Sequence, residues 1–313
     1  MAILANNSFE LHTGSLIKIM SHINHKPCAK PSYIQFYPTL NCNYSCPFCF
    51  NRNLPTYKDV EVNDFHNILL TLKHLGIEHI DMLGGEPSLH PDLLQLIDLI
   101  HHNGLKTTIS TNGTHVDLLT AISKTYPKKS VRIGVSLNSE KVANDLHTYI
   151  ITFKPILKSV YSKQTILPKS CDAYIGMPGI EYFLLFMDIM NQNDIKYSVP
   201  FYRFYHDILE LKKTIGNIDG VFCSGFIPDL TRYPELKRVR CPAGTTKLSL
   251  LPNGDMYPCY LLFQFAEFRL GNIFVDSFNA IWHHPILNYF RTFKKNNCPK
   301  TSCSLFHSFH GGC

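Results

Sequence analysis

The chain has 313 residues, 45% hydrophobic and 17% charged, which excludes a disordered chain and leaves room for one large domain and a small appendage. Its formal charge of +6 comes without a Lys/Arg block, so a solvated basic surface accounts for it and no nucleic-acid partner is expected. Residues 1–20 hold no basic segment leading into an uninterrupted apolar run, and no later stretch reaches the roughly 18 consecutive apolar residues of a membrane span. We expect a cytoplasmic protein without a membrane partner. Eleven Cys in such a chain argue for metal ligation over a disulfide framework.

In chain order, a strand is expected over 33–39, followed directly by Cys42-Asn-Tyr-Ser-Cys46-Pro-Phe48-Cys49-Phe50. Three thiols at this spacing can converge on one metal centre and leave a coordination position unfilled. An iron–sulfur cluster normally takes four thiolates, so a compact trio suggests a cluster with one iron open to substrate. A structural zinc site is usually closed by four ligands, and a zinc knuckle completed by a distant His or Cys is the alternative.

A helix near 63–75 carries Phe65, Ile68, Leu69, Leu72 and Leu75 on one face and stops at Gly76. Strand 77–83 then closes in Gly84-Gly85-Glu86-Pro87. Two glycines let backbone carbonyls approach a ligand, and Glu86 offers a negative acceptor to an ammonium; an ordinary strand-to-helix turn is the plainer reading. Helix 91–104, strand 105–110 with Thr111-Asn112-Gly113, helix 116–124, and strand 131–137 ending in Ser136-Leu137-Asn138 follow. Residues 139–163 read as mainly helical, interrupted at Pro155. A strand at 173–177, a helix at 180–191 and a strand at 197–202 complete the alternation. Such alternation implies parallel strands, whose carboxyl ends meet at one rim.

Residues 216–240 lack periodicity and suit a linker. Beyond it, Cys241-Pro-Ala-Gly precedes an alternating run at 246–251, the turn Pro252-Asn253-Gly254-Asp255, and Met256-Tyr257-Pro258-Cys259. Asn-Gly between strand-like runs signals a hairpin, which brings Cys241 and Cys259 toward each other. Cys298, Cys303 and Cys313 follow. Cys28, Cys171 and Cys223 lack a motif and read first as small buried hydrophobes. His90, His101, His102, His283 and His284 read as structural or surface residues.

The Cys42, Cys46, Cys49 triplet, with Gly84 to Pro87 some forty residues on, resembles the signature of the radical S-adenosylmethionine (radical SAM) superfamily, and Phe48 falls where that family has an aromatic. The resemblance implies an α/β fold, a partial (β/α)6 barrel. It implies a reduced [4Fe–4S] cluster on the three thiols that cleaves S-adenosyl-L-methionine to methionine and a 5′-deoxyadenosyl radical. The segment Gly84, Gly85, Glu86, Pro87 would hold the methionine amino group, and Asn112 and Ser136 would sit near the ribose or carboxylate, with strand-end capping as the alternative for both. Asn138 stands where relatives often have Asp.

From Cys241 onward the chain resembles the SPASM/twitch extension. Aligned to that pattern, Lys300 and Phe309 stand where two ligands should be, so we expect one auxiliary [4Fe–4S] cluster on Cys241, Cys259, Cys313 and either Cys298 or Cys303. A zinc ribbon on the same residues is the alternative. The expected organisation is an N-terminal segment 1–32, a barrel 33–215, a linker 216–240 and an auxiliary-cluster domain 241–313.

By the same resemblance, the substrate is a ribosomally synthesised precursor peptide that is oxidised, cross-linked or epimerised, with reduction by flavodoxin or ferredoxin. A small-metabolite dehydrogenase is the alternative, and a non-enzymatic zinc protein a third reading. The thirty or so residues before the barrel are too few for the winged leader-binding domain of some peptide maturases. Cys223, in the linker, could return a hydrogen atom to a substrate radical, as peptide epimerases require of a thiol.

Overall fold

The computed structural model describes residues 30–164, 171–190, 192–223 and 241–292. Strand β1 (Tyr33–Phe36) and helix α1 (Val62–His74) set its pattern. Phe36 stacks on Phe65 with ring centroids 5.0 Å apart, so Ile34 and Phe36 face the helix layer, while the pleat turns Tyr33 and Gln35 to the opposite face. Helix α1 buries Phe65, Ile68, Leu69 and Leu72, one stripe at helical spacing. It ends where Gly76 takes a φ of 68° and the Ile77 N–H reaches back to Leu72 O at 3.0 Å. The same unit repeats through β2 (His79–Met82), α2 (Leu93–His102), β3 (Lys106–Thr111), α3 (Val116–Thr125) and β4 (Val131–Ser136), with parallel pairing throughout.

Past Ser139 the structure departs from the sequence reading. The stretch expected to be helical holds two short helices, α4 (Glu140–Asp145) and α5 (His147–Phe153), and then strand β5 (Ile156–Tyr161). Lys154, in the left-handed region at φ 48°, ends α5, and Pro155 cannot continue it. Residues 173–177, expected as a strand, form turns; 180–191, expected as a helix, contain strand β6 (Glu181–Phe186); 197–202, expected as a strand, run into helix α6 (Phe201–Ile215). After Glu181 the run Tyr-Phe-Leu-Leu-Phe is apolar or aromatic without a break, and its periodicity does not separate strand from helix. Pairing with β5, from Ile156–Glu181 to Tyr161–Phe186, decides the matter. Strand β7 (Ile218–Val221) pairs with β6 inside the segment expected to be a linker.

Strands β1 to β7 are parallel, and β8 (Lys247–Leu250) adds to the free side of β1, also in parallel. Strands β9 (Asp255–Tyr257) and β10 (Gly271–Asn272) continue the sheet antiparallel, in the order β10-β9-β8-β1-β2-β3-β4-β5-β6-β7. The expected hairpin is therefore β8–β9, turned by Gly254 at φ 87°. One large core lies between the sheet and its helices. A second small cluster, Ile156 and Phe183 with Leu185 and Val221, lies on the other face. On that inner face Gln35 stands in register with Asp81 and accepts from Ser249 Oγ at 3.1 Å. Lys158 Nζ meets Ser110 Oγ at 2.6 Å, and burial pulls the Lys158 pKa down. Among the described residues, no helix is long and apolar enough to cross a membrane.

Candidate active site

The chain leaving β1 is drawn against the chain leaving β2. Gly84 has a φ of 131°, and a Cβ there would lie 2.4 Å from Thr39 O; a Cβ on Gly85 would lie 2.1 Å from Asn41 O. Into this gap the Gly85 N–H donates to Thr39 O at 3.1 Å and the Glu86 N–H to Asn41 O at 2.7 Å. The glycines thus admit the protein's own backbone, a role that reading them only as ligand-approach residues overlooks.

The cysteine loop is held from several sides. Asn51 Nδ2 donates to Gly84 O at 2.9 Å, and Arg52 Nε to Cys49 O at 2.9 Å. Arg52 also pairs with the buried Asp194 beyond β6. On the β3 side, Asn112 Nδ2 donates to Asn43 Oδ1 at 2.7 Å and Asn43 Nδ2 to Thr114 Oγ1 at 2.9 Å. Cys46 and Cys49 close a turn, N–H to carbonyl, at 3.1 Å.

Glu86 is buried, and its carboxylate is already engaged. Oε1 accepts from the Ser88 N–H at 3.0 Å and from Thr111 Oγ1 at 2.6 Å; Oε2 accepts from the Asn112 N–H at 2.6 Å. With about four lone-pair positions on a carboxylate, one on Oε2 remains. Pro87, also buried, opens a single 3-10 turn, Pro87–Leu89, capped by Glu86.

The structure therefore brings together Cys42, Cys46, Cys49, Gly84 to Pro87 and Asn112. Ser136 is half-buried at the end of β4 and makes no side-chain hydrogen bond among the described residues. Phe48 is half-buried, and its neighbour Phe50 packs on Tyr260 with centroids 4.8 Å apart. Asn138 accepts from the Val160 N–H at 2.8 Å, a backbone tie between β4 and β5. His90 accepts from the Asp92 N–H at 3.1 Å, which leaves its Nε2–H for Val60 O at 3.0 Å; both ring nitrogens serve the fold.

Cys42 is exposed, Cys46 and Cys49 are half-buried, and none of the three is in a disulfide. Burial, and then the charges of Cys49 and Cys42, push the Cys46 thiol up to about 11. Burial also raises Cys49, against the Asn51 N–H. Two thiols whose ionisation burial and neighbouring sulfurs disfavour, with a third beside them, suit an iron–sulfur centre, whose positive charge removes that cost.

A second thiol site lies across Tyr260. Cys241 and Cys259 are both buried, and Lys247 Nζ donates to Cys259 Sγ at 3.6 Å. Burial pushes Cys259 up to about 11 against the pull of the Lys247 charge, with Cys241 and Cys223 adding to the rise. Cys223, just beyond β7, thus lies within electrostatic reach of a residue beyond β9, so the two ends of the parallel sheet approach each other as a barrel requires. Asp188, beyond β6, is pushed up to about 7 by burial, with Lys247 opposing. Cys171 is buried in the core. Cys28, Cys298, Cys303 and Cys313, with Lys300 and Phe309, lie outside the described residues.

Sequence reasoning did not single out Asn43, Asn51, Arg52, Thr111, Asp188 or Lys247. The signal for the first three is polar residues within the triplet or just after it. For Lys247 it is a charge at a position where the alternating run should point inward.

Two family models match the chain: the radical SAM superfamily over residues 36–182 and the SPASM iron–sulfur cluster-binding domain over 241–304. The antilisterial bacteriocin subtilosin biosynthesis protein AlbA of Bacillus subtilis (strain 168) is 24% identical over 316 residues, covering 90% of this chain and 67% of AlbA. An S-adenosylmethionine-dependent nucleotide dehydratase of Thermoplasmatales archaeon (strain ISO4-H5) is 41% identical over 73 residues, 23% of this chain and 26% of that protein. The chain therefore spans about two thirds of the one relative and about a quarter of the other. Among solved structures, Streptococcus suis SuiB bound to precursor peptide SuiA matches with a TM-score of 0.72 at 21% identity, over 92% of this chain and 73% of SuiB. The enzyme anSMEcpe with bound AdoMet and Cp18Cys peptide matches with a TM-score of 0.58 at 17% identity, over 90% of this chain and 89% of that one. The chain belongs to the radical SAM superfamily and carries a C-terminal SPASM domain. Its cofactors are S-adenosylmethionine, a [4Fe–4S] cluster and an auxiliary iron–sulfur cluster.

Proposed function

We propose that this radical SAM enzyme modifies a ribosomally synthesised precursor peptide by oxidation, cross-linking or epimerisation. The observation that carries the reading is that likeness to AlbA, named for bacteriocin biosynthesis, runs through 90% of the chain. The likeness to SuiB, solved with a precursor peptide, supports it. Cys42, Cys46 and Cys49 would hold the cluster that binds S-adenosylmethionine, and Cys241 and Cys259, with Cys313 and Cys298 or Cys303, the auxiliary one. When bound and reduced, the first cluster and S-adenosylmethionine supply a 5′-deoxyadenosyl radical. The chain's own residues bind and orient: Glu86 keeps one acceptor position for the methionine ammonium, while Phe48, Asn112 and Ser136 line the same rim. The barrel, taken as 33–215, and the auxiliary domain, 241–313, would share the substrate across the contact of Phe50 with Tyr260. Flavodoxin or ferredoxin would supply the electron, and the reducing cytoplasm would protect both clusters.

The test is turnover in heavy water with the peptide encoded by a short reading frame beside this gene, read by mass spectrometry. A peptide that loses hydrogens identifies oxidation or cross-linking. A peptide that gains deuterium with no other change identifies inversion, because a thiol exchanges with solvent before donating. In that case Cys223→Ala should abstract hydrogen yet fail to complete the inversion. Cleavage of S-adenosylmethionine that leaves such peptides intact while oxidising a small metabolite would overturn the peptide reading.

A further inference from the structure

Lys247 is 5% exposed on a strand whose other positions are apolar or hydroxylic. An ammonium in such a place is costly unless anions or acceptors surround it. Its amino group lies 3.6 Å from Cys259 Sγ and 5.3 Å from the centre of the Tyr260 ring. The thiols of Cys241 and Cys223 and the hydroxyl of Tyr33 are its further electrostatic neighbours, and Asp188 faces it from beyond β6. Backbone geometry holds the residue: it pairs with Tyr33 across β1, and its carbonyl accepts from the Gly244 N–H at 2.9 Å. These contacts fix its backbone in the sheet, from which the side chain reaches the Cys259 sulfur.

We propose that Lys247 is a positioning and tuning residue of the auxiliary cluster: its buried charge and its hydrogen bond to the Cys259 sulfur hold that ligand and raise the reduction potential of the centre it binds. Hydrogen bonds to ligand sulfurs and local net charge are the levers by which a protein sets such potentials. The sign follows from charge. Reduction adds an electron, which a fixed cation beside the sulfur stabilises, so the reduced state gains more than the oxidised one. The three-thiol site on the other side of Tyr260 has no such buried lysine hydrogen-bonded to its sulfurs among the described residues. The two centres are thus given different potentials by one side chain. This role of Lys247 is confined to the auxiliary site and does not depend on the substrate.

The experiment compares anaerobically reconstituted holoenzyme carrying Lys247, Lys247→Met or Lys247→Arg. Iron and sulfide are counted first. Both clusters are then titrated potentiometrically by electron paramagnetic resonance, and addition of S-adenosylmethionine marks which signal belongs to the triplet. We expect Lys247→Met to keep its iron and to lower the reduced-to-oxidised ratio of the auxiliary cluster about tenfold at a fixed potential, about 59 mV for a one-electron couple, while Lys247→Arg stays within about twofold. The triplet cluster should not move in either variant. Should Lys247→Met lose auxiliary iron, Lys247→Gln, a neutral donor, carries the same comparison. An unshifted auxiliary potential in an iron-replete neutral variant would overturn the proposal. So would loss of auxiliary iron from all three variants, which would make Lys247 a packing residue.

Discussion

Gly85 and Asn41 lie backbone against backbone: a methyl group on Gly85 would meet Asn41 O at 2.1 Å and Leu40 O at 2.5 Å. Neither obstacle is a flexible side chain, so the loop that carries Cys42 must move if Gly85 gains a side chain. Gly85→Ala is expected to cost about 1–3 kcal/mol of stability, the range for overpacking, and to lower iron at the triplet while the auxiliary site keeps its own. Thermal unfolding and iron content after reconstitution check both parts.

The triplet itself makes a stricter test. Changing Cys42, Cys46 and Cys49 together to Ala should reduce reconstituted iron from about eight to about four per chain, the content of one four-iron cluster, and abolish cleavage of S-adenosylmethionine. Cleavage that survives in the triple variant would contradict the assignment of this site.

Glu86 serves the fold as well as any ligand, and two substitutions separate these roles. Glu86→Gln keeps the shape but turns an amide N–H2 toward donors, and hydrogen bonds to charged groups are worth about 1.5–3 kcal/mol. Both stability and affinity for S-adenosylmethionine should fall, the latter about ten- to a hundredfold by the same range. Thr111→Val removes one donor at 2.6 Å and leaves the Glu86 carboxyl in place. It should lower stability with little change in affinity. Isothermal titration beside urea denaturation tells the two apart.

Asp188 gives the fold a pH dependence of definite sign. Its carboxyl is pushed up to about 7, whereas in the unfolded chain it ionises near its ordinary value of about 4. Between those values the folded protein binds the extra proton, so the stability it contributes is complete below the unfolded pKa and is lost as pH rises through about 7. Asp188→Asn should match the parent near pH 4 and exceed it near pH 8 by about 2 kcal/mol, a figure reduced from full burial because the residue keeps some solvent contact. Urea denaturation of cluster-free protein at the two pH values measures this. Equal stabilities at about pH 8 would mean the carboxyl ionises freely.

The cysteine triplet, the Gly84 to Pro87 turn and the Cys241–Cys259 hairpin were legible because each depends on residues close in the chain, whose spacing alone dictates which atoms can converge. The first four strands were legible too, since regular amphipathic helices such as Phe65-Ile68-Leu69-Leu72 punctuate them. From Ser139 to Val221 local pattern was insufficient. From Tyr182 to Phe186 the strand is apolar on both faces because both are largely covered, and such a segment loses the alternation that distinguishes strand from helix. Pairing with β5 chose its conformation. The site divides in the same way. Residue type marked out the thiols, but the engagement of Glu86 by Thr111 and Asn112, the clamp of Arg52 on Asp194 and the approach of Lys247 to Cys259 join positions from different strands. For the first two only the sheet's register sets those distances, because each joins segments far apart in the chain; Lys247 and Cys259 share the β8–β9 hairpin, and there only the packing around it decided that the amino group turns to the sulfur.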